Sequence, residues 1–350
     1  MSPTTASPRV ITLGVAGGPR WWPATATEEP SGIATAIVVG DAHYLVDCGA
    51  GTGRNLTRVG LAFDDMRAIF LTHLHSDHVA DLAGLLLFSS YGTSGTRSTP
   101  VHILGPGDRG TAPPLSPFAA SADGTASRTP LYPRQPTPGT ADMVDLLQRA
   151  FATDLNDRYL DGLRLTAKQL FTASDIALPE GLGYHPDDNP TPTMSPFAVY
   201  EDDRVRVSAT LVAHPPVAPA FGFRFETDEG TIVVSGDTTY TPNMVALAQD
   251  ADLLLHEVID SDWIEATYGA ATDPATGAMK SHHLRSHTTV TDVLRLADEA
   301  SVARLALHHI VPGTARPNIE AQLQAAGASR TVIARDREEF LLRAPARTAV

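Results

Sequence analysis

Apolar residues fall along this chain in short runs bounded by Gly, Pro and Asp, a rhythm that predicts strands alternating with helices. Val10 to Leu13, Ala34 to Val39 and His43 to Val46 read as an opening meander of strands, followed by a short helix from Gly53 to Leu61. Ile69 to Leu71 is the end of a buried strand, and Val79 to Leu87 has the apolar density of a helix packed beside it. After the strand Val101 to Leu104 the pattern breaks: 105–138 is filled with Pro, Gly, Ser, Thr and Ala, which sustain no regular core element. Met143, Leu146, Leu147, Phe151, Leu155 and Leu160 then recur at helical spacing. One amphipathic helix from Ala141 to Leu160 is expected, covering a pocket mouth, with Thr166 to Phe171 extending it after a break. The segment 105–196 is thus a lid-like insertion into a single domain.

From Phe197 the strand rhythm resumes with Val205 to Val212, Phe221 to Glu226 and Thr231 to Ser235. A helix is predicted over Tyr240 to Asp250, a buried strand over Asp252 to Leu255, and irregular chain from Asp260 to Lys280. Thr289 and Asp292 form a capping pair before the helix Val290 to Ala300. A strand at Arg304 to Leu307, a helix at Asn318 to Ala325 and short strands at 331–334 and 340–343 complete an α/β chain whose sheets pack between helices.

Composition narrows the picture. The 350 residues are 43% hydrophobic, enough for a substantial core, and no apolar run reaches membrane-spanning length. Met1 to Arg9 shows no secretory pattern, so the expected compartment is cytoplasmic, a trimmed leader being the other reading. Cys48 is the only cysteine, which excludes an intrachain disulfide and any zinc site needing two thiolates. The formal net charge is -14, Lys168 and Lys280 are the only lysines, and no basic cluster exceeds a dipeptide. Nucleic acid is therefore not expected as a partner. No membrane partner is expected either, and a homodimer is compatible with the sequence.

The chemistry concentrates in Leu71-Thr72-His73-Leu74-His75-Ser76-Asp77-His78, where strand turns to helix. Imidazole and carboxylate are ligands that zinc and similar divalent ions prefer, and His73 and His75, two apart on extended chain, point to one side. Asp77 and His78 lie just beyond and could serve a second ion. His214, Asp237 and His309 each follow an apolar strand, where an active site built at a sheet edge needs them. The run Asp47-Cys48-Gly49-Ala50-Gly51-Thr52-Gly53 superficially resembles a phosphate loop but lacks the Lys-Ser/Thr that follows in one.

H-x-H-x-D-H followed in order by a histidine, an aspartate and a histidine resembles the metallo-β-lactamase superfamily. The resemblance covers nearly the whole chain outside the insertion. It implies an αββα sandwich with one ion on His73, His75 and His214, a second on Asp77, His78 and His309, and Asp237 between them. Asp47 matches the superfamily's first acidic position, which supports the ligands without binding metal. His308 competes with His309 for the last place, since neighbours on a strand face opposite ways. His256-Glu257 and Ser286-His287-Thr288-Thr289 resemble signatures of ribonuclease Z and zinc-dependent arylsulfatase-like enzymes, in which the glutamate orients a histidine that protonates the leaving group. His282 and His283 are nearby alternatives for that acid. True β-lactamases of this fold usually place a cysteine where Asp237 stands, so that activity is not expected.

The expected function is a binuclear hydrolase that cleaves a sulfate ester, phosphodiester, or carboxylic ester or lactone of a small organic substrate. Two divalent ions, zinc by ligand type with manganese or iron open, would hold a bridging hydroxide. Asp77 would accept a proton, His287 steadied by Glu257 would protonate the leaving oxygen, and Trp21 and Trp22 would wall the substrate. The alternative is a ribonuclease Z-like endonuclease on precursor transfer RNA. Against it, that family carries an RNA-gripping arm between the positions of His214 and Asp237, where only short strands fit here.

Overall fold

A computed structural model describes residues 7–23, 30–93, 97, 99–116, 128–162, 165–269 and 273–342. Strands β1 (Arg9–Gly14), β2 (Ala34–Val39), β3 (Ala42–Val46), β4 (Met66–Phe70), β5 (Val101–Gly105) and β6 (Phe171–Asp175) join β14 (Glu338–Leu341) in a sheet of order β14-β1-β2-β3-β4-β5-β6. The second sheet, in order β13-β12-β11-β10-β9-β8-β7, contains β7 (Phe197–Glu201), β8 (Arg206–Leu211), β9 (Phe221–Thr227), β10 (Gly230–Val234), β11 (Leu253–Ile259), β12 (Leu305–Val311) and β13 (Val332–Ile333). Each sheet is antiparallel in one half and parallel in the other: β3 to β6 run parallel in the first, β10 to β13 in the second. The central parallel strands β4, β10, β11 and β12 are largely apolar and buried, as strands covered on both faces must be, whereas the edge strand β6 is polar and mostly exposed.

Between the sheets lie Phe70, Phe221, Phe223, Phe225, Val234 and Leu255. Phe70 meets Phe225 edge-on at a centroid distance of 5.2 Å. Burying each such ring contributes about 1.5–3 kcal/mol. Helices cover the outer faces. On the first sheet stand α1 (Thr52–Arg58), α2 (Ser76–Val79), α3 (Leu82–Gly92), α4 (Thr140–Ala150), α5 (Ala152–Leu160) and α6 (Ala167–Leu170); on the second, α7 (Pro242–Ala248), α8 (Ser261–Tyr268), α9 (Pro274–Ser286), α10 (Val290–Glu299) and α11 (Arg316–Ala325). The αββα sandwich that the sequence implied is the fold.

The insertion departs from expectation in two ways. The helix foreseen at 141–160 is two helices broken at Phe151, and Val144, Met143, Leu147 and Leu155 seat them in the outer layer of the first sheet, near α3 and β6, instead of over the histidine cluster. Thr166 to Phe171 holds only α6, and Phe171 opens the edge strand β6. Beyond β6, Ile176 and Met194 enter the core between the sheets, with Leu178, Leu182 and Tyr184 packed against it. Residues 117–127 and 163–164 of the insertion lie outside the described residues. The chain predicted irregular at 260–280 is mostly helical: Asp260 and Asp273 accept hydrogen bonds at the starts of α8 and α9.

Candidate metal centre

The site grows from strand ends. Asp47 follows β3, His73 to His78 follow β4, His214 follows β8, Asp237 follows β10, and Glu257 and His309 lie within β11 and β12. Most of these positions lie at or near the carboxyl ends of parallel strands, where open α/β sheets build crevices, and His214 joins them from the antiparallel strand β8. Gly236, between β10 and Asp237, has φ +62, and a Cβ there would lie 2.6 Å from the Phe221 carbonyl oxygen, so this turn requires glycine.

Two groups of ligand atoms converge. In the first, His75 Nδ1 is 3.1 Å from His73 Nε2 and 3.1 Å from His214 Nε2. In the second, His309 Nε2 is 3.1 Å from His78 Nε2 and 3.4 Å from Asp77 Oδ2. Asp237 spans both: Oδ2 is 3.9 Å from His73 Nε2 and from His214 Nε2, while Oδ1 is 3.4 Å from His78 Nε2. All seven predicted ligand residues therefore meet, and His73, His214, His78, Asp237 and His309 are buried.

The surrounding bonds decide which nitrogens face inward. His214 Nδ1 donates to the Ser286 carbonyl at 2.8 Å. His78 Nδ1 donates to Asp47 Oδ2 at 2.8 Å. Thr72 Oγ1 donates to Asp47 and accepts from His73 Nδ1 at 3.1 Å. With these protons committed outward, the Nε2 atoms of His73 and His214 turn lone pairs toward the cluster centre, and outer partners of this kind raise ligand basicity. Lone pairs crowded in this way repel unless a cation lies among them. Tetrahedral bonds of about 2.0 Å put ligand nitrogens about 3.3 Å apart, close to the spacing here, so the residues fit a divalent metal. Asp237 Oδ1 and His309 Nδ1, buried 3.2 Å apart but with neither in a well-formed hydrogen bond, fit it too. Asp47 acts from behind the ligands as implied, and Thr72, which the sequence reading missed, couples it to both groups. Its signal was a hydroxyl next to the first histidine.

Burial, together with neighbouring histidine charge, holds His73 and His214 well below the ordinary imidazole range, while burial also lowers His75. Burial opposes charge on His78 as well, but the carboxylates of Asp237, Asp47 and Asp77 outweigh it and raise its pKa. Asp77 stays ionised despite burial, because His78 and His309 hold its pKa down.

His309, not His308, joins the cluster. The β11–β12 register pairs Glu257 with His308 and Val258 with Ile310, so His309 is the extra residue of a bulge, at φ 40. The bulge turns its ring to the ligands. His308 instead lies buried 3.4 Å from Thr35 Oγ1.

Beside the cluster, His287 Nδ1 is 3.3 Å from Glu257 Oε2, and its ring lies nearly parallel to that of His309 at 5.9 Å. Burial raises the Glu257 carboxyl and opposes charge on His287, whose pKa is nevertheless raised by the glutamate. The two compete for one proton. Thr288 N and Thr238 N donate to Glu257 Oε1 at 2.8 and 3.3 Å, which favours carboxylate and leaves the proton on His287. Of the expected aromatic wall, Trp21 stands in solvent at 96% exposure. Trp22 is anchored near the ligands: its Nε1 donates to Gly17 O, and Gly18 N in the same loop donates to Asp77 Oδ2 at 2.8 Å.

The fold and the His/Asp grouping define a metallo-β-lactamase-fold protein that carries donors for divalent metal. A family profile described as "Beta-lactamase superfamily domain" matches residues 164–310, and one described as "Anti-Pycsar protein Apyc1" matches 33–103. Ribonuclease Z of Mycobacterium sp. (strain KMS) is 29% identical over 299 residues, 85% of this chain and 84% of that protein. Ribonuclease Z of Mycobacterium marinum is 28% identical over 282 residues, 81% of each. Human tRNase Z, short form, superposes with a TM-score of 0.61 at 19% identity, covering 95% of this chain and 99% of that one. YhfI from Bacillus subtilis, described as a metallo-beta-lactamase fold protein, gives 0.56 at 18%, with the same coverage. The fold, the profile match and the curated relatives together support the metallo-β-lactamase superfamily and, within it, a likeness to ribonuclease Z.

These relatives correct the expectation about partners. Nucleic acid was set aside on net charge, yet the matched curated proteins are ribonucleases by name. The charge rule applies to proteins that grip nucleic acid through a basic footprint; an enzyme that engages one phosphodiester through bound cations carries its attraction in the ions. Among the described residues, no helix is long and apolar enough to cross a membrane.

Proposed function

We propose that this protein is a metal-dependent phosphodiesterase that cleaves RNA, with precursor transfer RNA as the substrate class. The observation that carries the reading is the Glu257–His287 pair standing against seven converging His and Asp side chains that could hold metal. Its support is the similarity to ribonuclease Z along 85% of the chain.

His73, His75 and His214 would hold one ion, Asp77, His78 and His309 a second, and Asp237 would bridge them; zinc suits the nitrogen-rich set. Bound there, such ions would polarise a phosphoryl oxygen and lower the pKa of water. The chain's own groups handle the protons. Asp77, kept ionised, is the proton acceptor, and Glu257 holds His287 protonated with Nε2 available to the departing oxygen. An alkoxide leaving group needs that proton, and an imidazole made more basic by a buried carboxylate retains one near neutral pH. The interval between His214 and Asp237 is occupied by β9, β10 and tight connections, so RNA must be held by another surface.

The test is incubation of metal-loaded protein with a precursor transfer RNA bearing a 3′ extension, alongside bis(4-nitrophenyl) phosphate. Cleavage of the RNA at a defined position, lost with a chelator and in His73→Ala, is expected. Turnover of the nitrophenyl diester with intact RNA would overturn the substrate assignment while leaving the phosphodiester chemistry standing.

A further inference from the structure

Outside the ligand cluster, the C-terminal ends of β11 and β12 carry a small apolar satellite, Ile259, Ile264 and Val311, on which Trp263 and Tyr268 lie half-buried. From the facing helix α9, His283 completes the group. Trp263 meets His283 edge-on at 5.2 Å and Tyr268 at 5.6 Å, while Tyr268 and His283 incline by only 32° at 5.6 Å. Tyr268 Oη lies 3.5 Å from His283 Nε2, and Lys280 pairs with Glu265 at 2.7 Å to tie α8 to α9. The aromatic group is therefore held by two helices locked together.

Its position relative to the acid gives it a role. His283 is the next ring out from His287, at 6.1 Å and 31°. An oxygen that takes its proton from His287 must sit at that ring. Of the four rings around it, His214 and His309 belong to the ligand cluster, which leaves His283, with Tyr268 and Trp263 behind it, and His282 as the outward neighbours of the departing group. Burial and the charges of His287, His282 and Arg20 bring His283 down to about 4, so it presents an uncharged ring at neutral pH. A half-buried surface of one indole, one phenol and one neutral imidazole suits a planar, polarisable group.

We infer that Trp263, Tyr268 and His283 form a stacking platform for the nucleobase on the leaving side of the scissile phosphate. The inference rests on the phosphodiesterase reading and deepens it by naming a surface that holds the substrate without a basic arm. Stacking tolerates any base, because every base has a π-face.

The test is a binding measurement on metal-loaded protein by calorimetry, comparing adenosine 5′-monophosphate with ribose 5-phosphate, which differ only in the base. Adenosine monophosphate should bind about tenfold more tightly. Trp263→Leu and Tyr268→Leu should each erase most of that ratio without weakening ribose phosphate, while Tyr132→Leu, at a remote exposed tyrosine, leaves it intact. Equal affinity of the native protein for the two ligands would overturn the inference without any variant having to fold, as would a Trp263→Leu protein weakened equally toward both. Base-dependent binding in a protein that leaves precursor RNA uncut would instead remove the substrate assignment and keep the platform.

Discussion

The two halves of the cluster are built from different donors and supported in different ways. His73, His75 and His214 offer imidazole alone, and burial keeps all three toward the neutral form that binds metal. Asp77, His78 and His309 include a carboxylate, and His78 is drawn toward the charged form by Asp237, Asp47 and Asp77. The first half is anchored by backbone at His214, through Ser286 O, and by the Thr72 hydroxyl at His73; the second is anchored directly by a carboxylate, through Asp47 on His78. One half is thus a preformed nitrogen pocket. The other is an acid-rich pocket whose geometry depends on a single removable carboxylate.

Asp237 is the one side chain with an oxygen facing each half, so its loss should erase the difference between them. Asp237→Ala is expected to empty both halves and reduce turnover by on the order of 10³-fold or more, since the remaining imidazoles would lack their common counter-charge. Metal analysis after dialysis, with circular dichroism to confirm folding, checks this. A variant that retains full metal content would show that the halves fill independently of the bridge.

The next largest effect lies beside the cluster. His287→Ala should lower turnover of an unactivated diester by roughly 10²–10³-fold and leave a nitrophenyl ester nearly unchanged, because only the poor leaving group needs a proton. The pH profile sharpens this. Glu257 raises the His287 pKa, so the acid is present below that raised value and is lost as pH rises through it. Glu257→Gln removes the charge that raises it, and the alkaline limb should shift to lower pH. A limb that stays in place in Glu257→Gln would detach His287 from the acid role.

Removing the support of one half tests the comparison directly. Asp47→Ala should weaken metal affinity about 10–100-fold, the range for lost outer partners of a ligating histidine, and chiefly in the half that contains His78. The donor types add a second reading: in zinc–manganese competition, manganese should enter the carboxylate-bearing half first. Equal exchange at both halves would show that donor chemistry does not separate them.

How much of this was legible beforehand varies with how local the cause is. The H-x-H-x-D-H turn and the polar residues after apolar strands are local patterns, and the structure brings all of them together. The preference for His309 over His308 came from resemblance; its physical cause is a bulge created by pairing with β11, and pairing is a non-local fact. The helices α8 and α9 had readable starts in Asp260 and Asp273-Pro274, a side-chain cap followed by proline in the first turn, but low apolar periodicity hid them. Their fold-back is what brings Trp263 and Tyr268 to His283. Net charge misdirected the partner assignment because a sum over the chain carries no information about where cations bind.

A last expected effect concerns a buried histidine outside both halves, and it separates site stability from fold stability. His43 on β3 is buried with both ring nitrogens unpartnered, and burial, then Arg97, lowers its pKa from 6.5 to about 4. Its folded value lies below its unfolded one, so the neutral ring's contribution is fully present above pH 6.5 and is lost as pH falls toward 4. The loss is on the order of 3 kcal/mol, at about 1.4 kcal/mol per unit. Urea unfolding of metal-free protein at pH 7 and pH 4.5 should show it, and His43→Leu, which keeps an apolar side chain on the strand, should flatten part of that slope. If the native slope persists in His43→Leu, the acid sensitivity belongs to the histidines of the site, and the fold beneath them is indifferent to pH over this range.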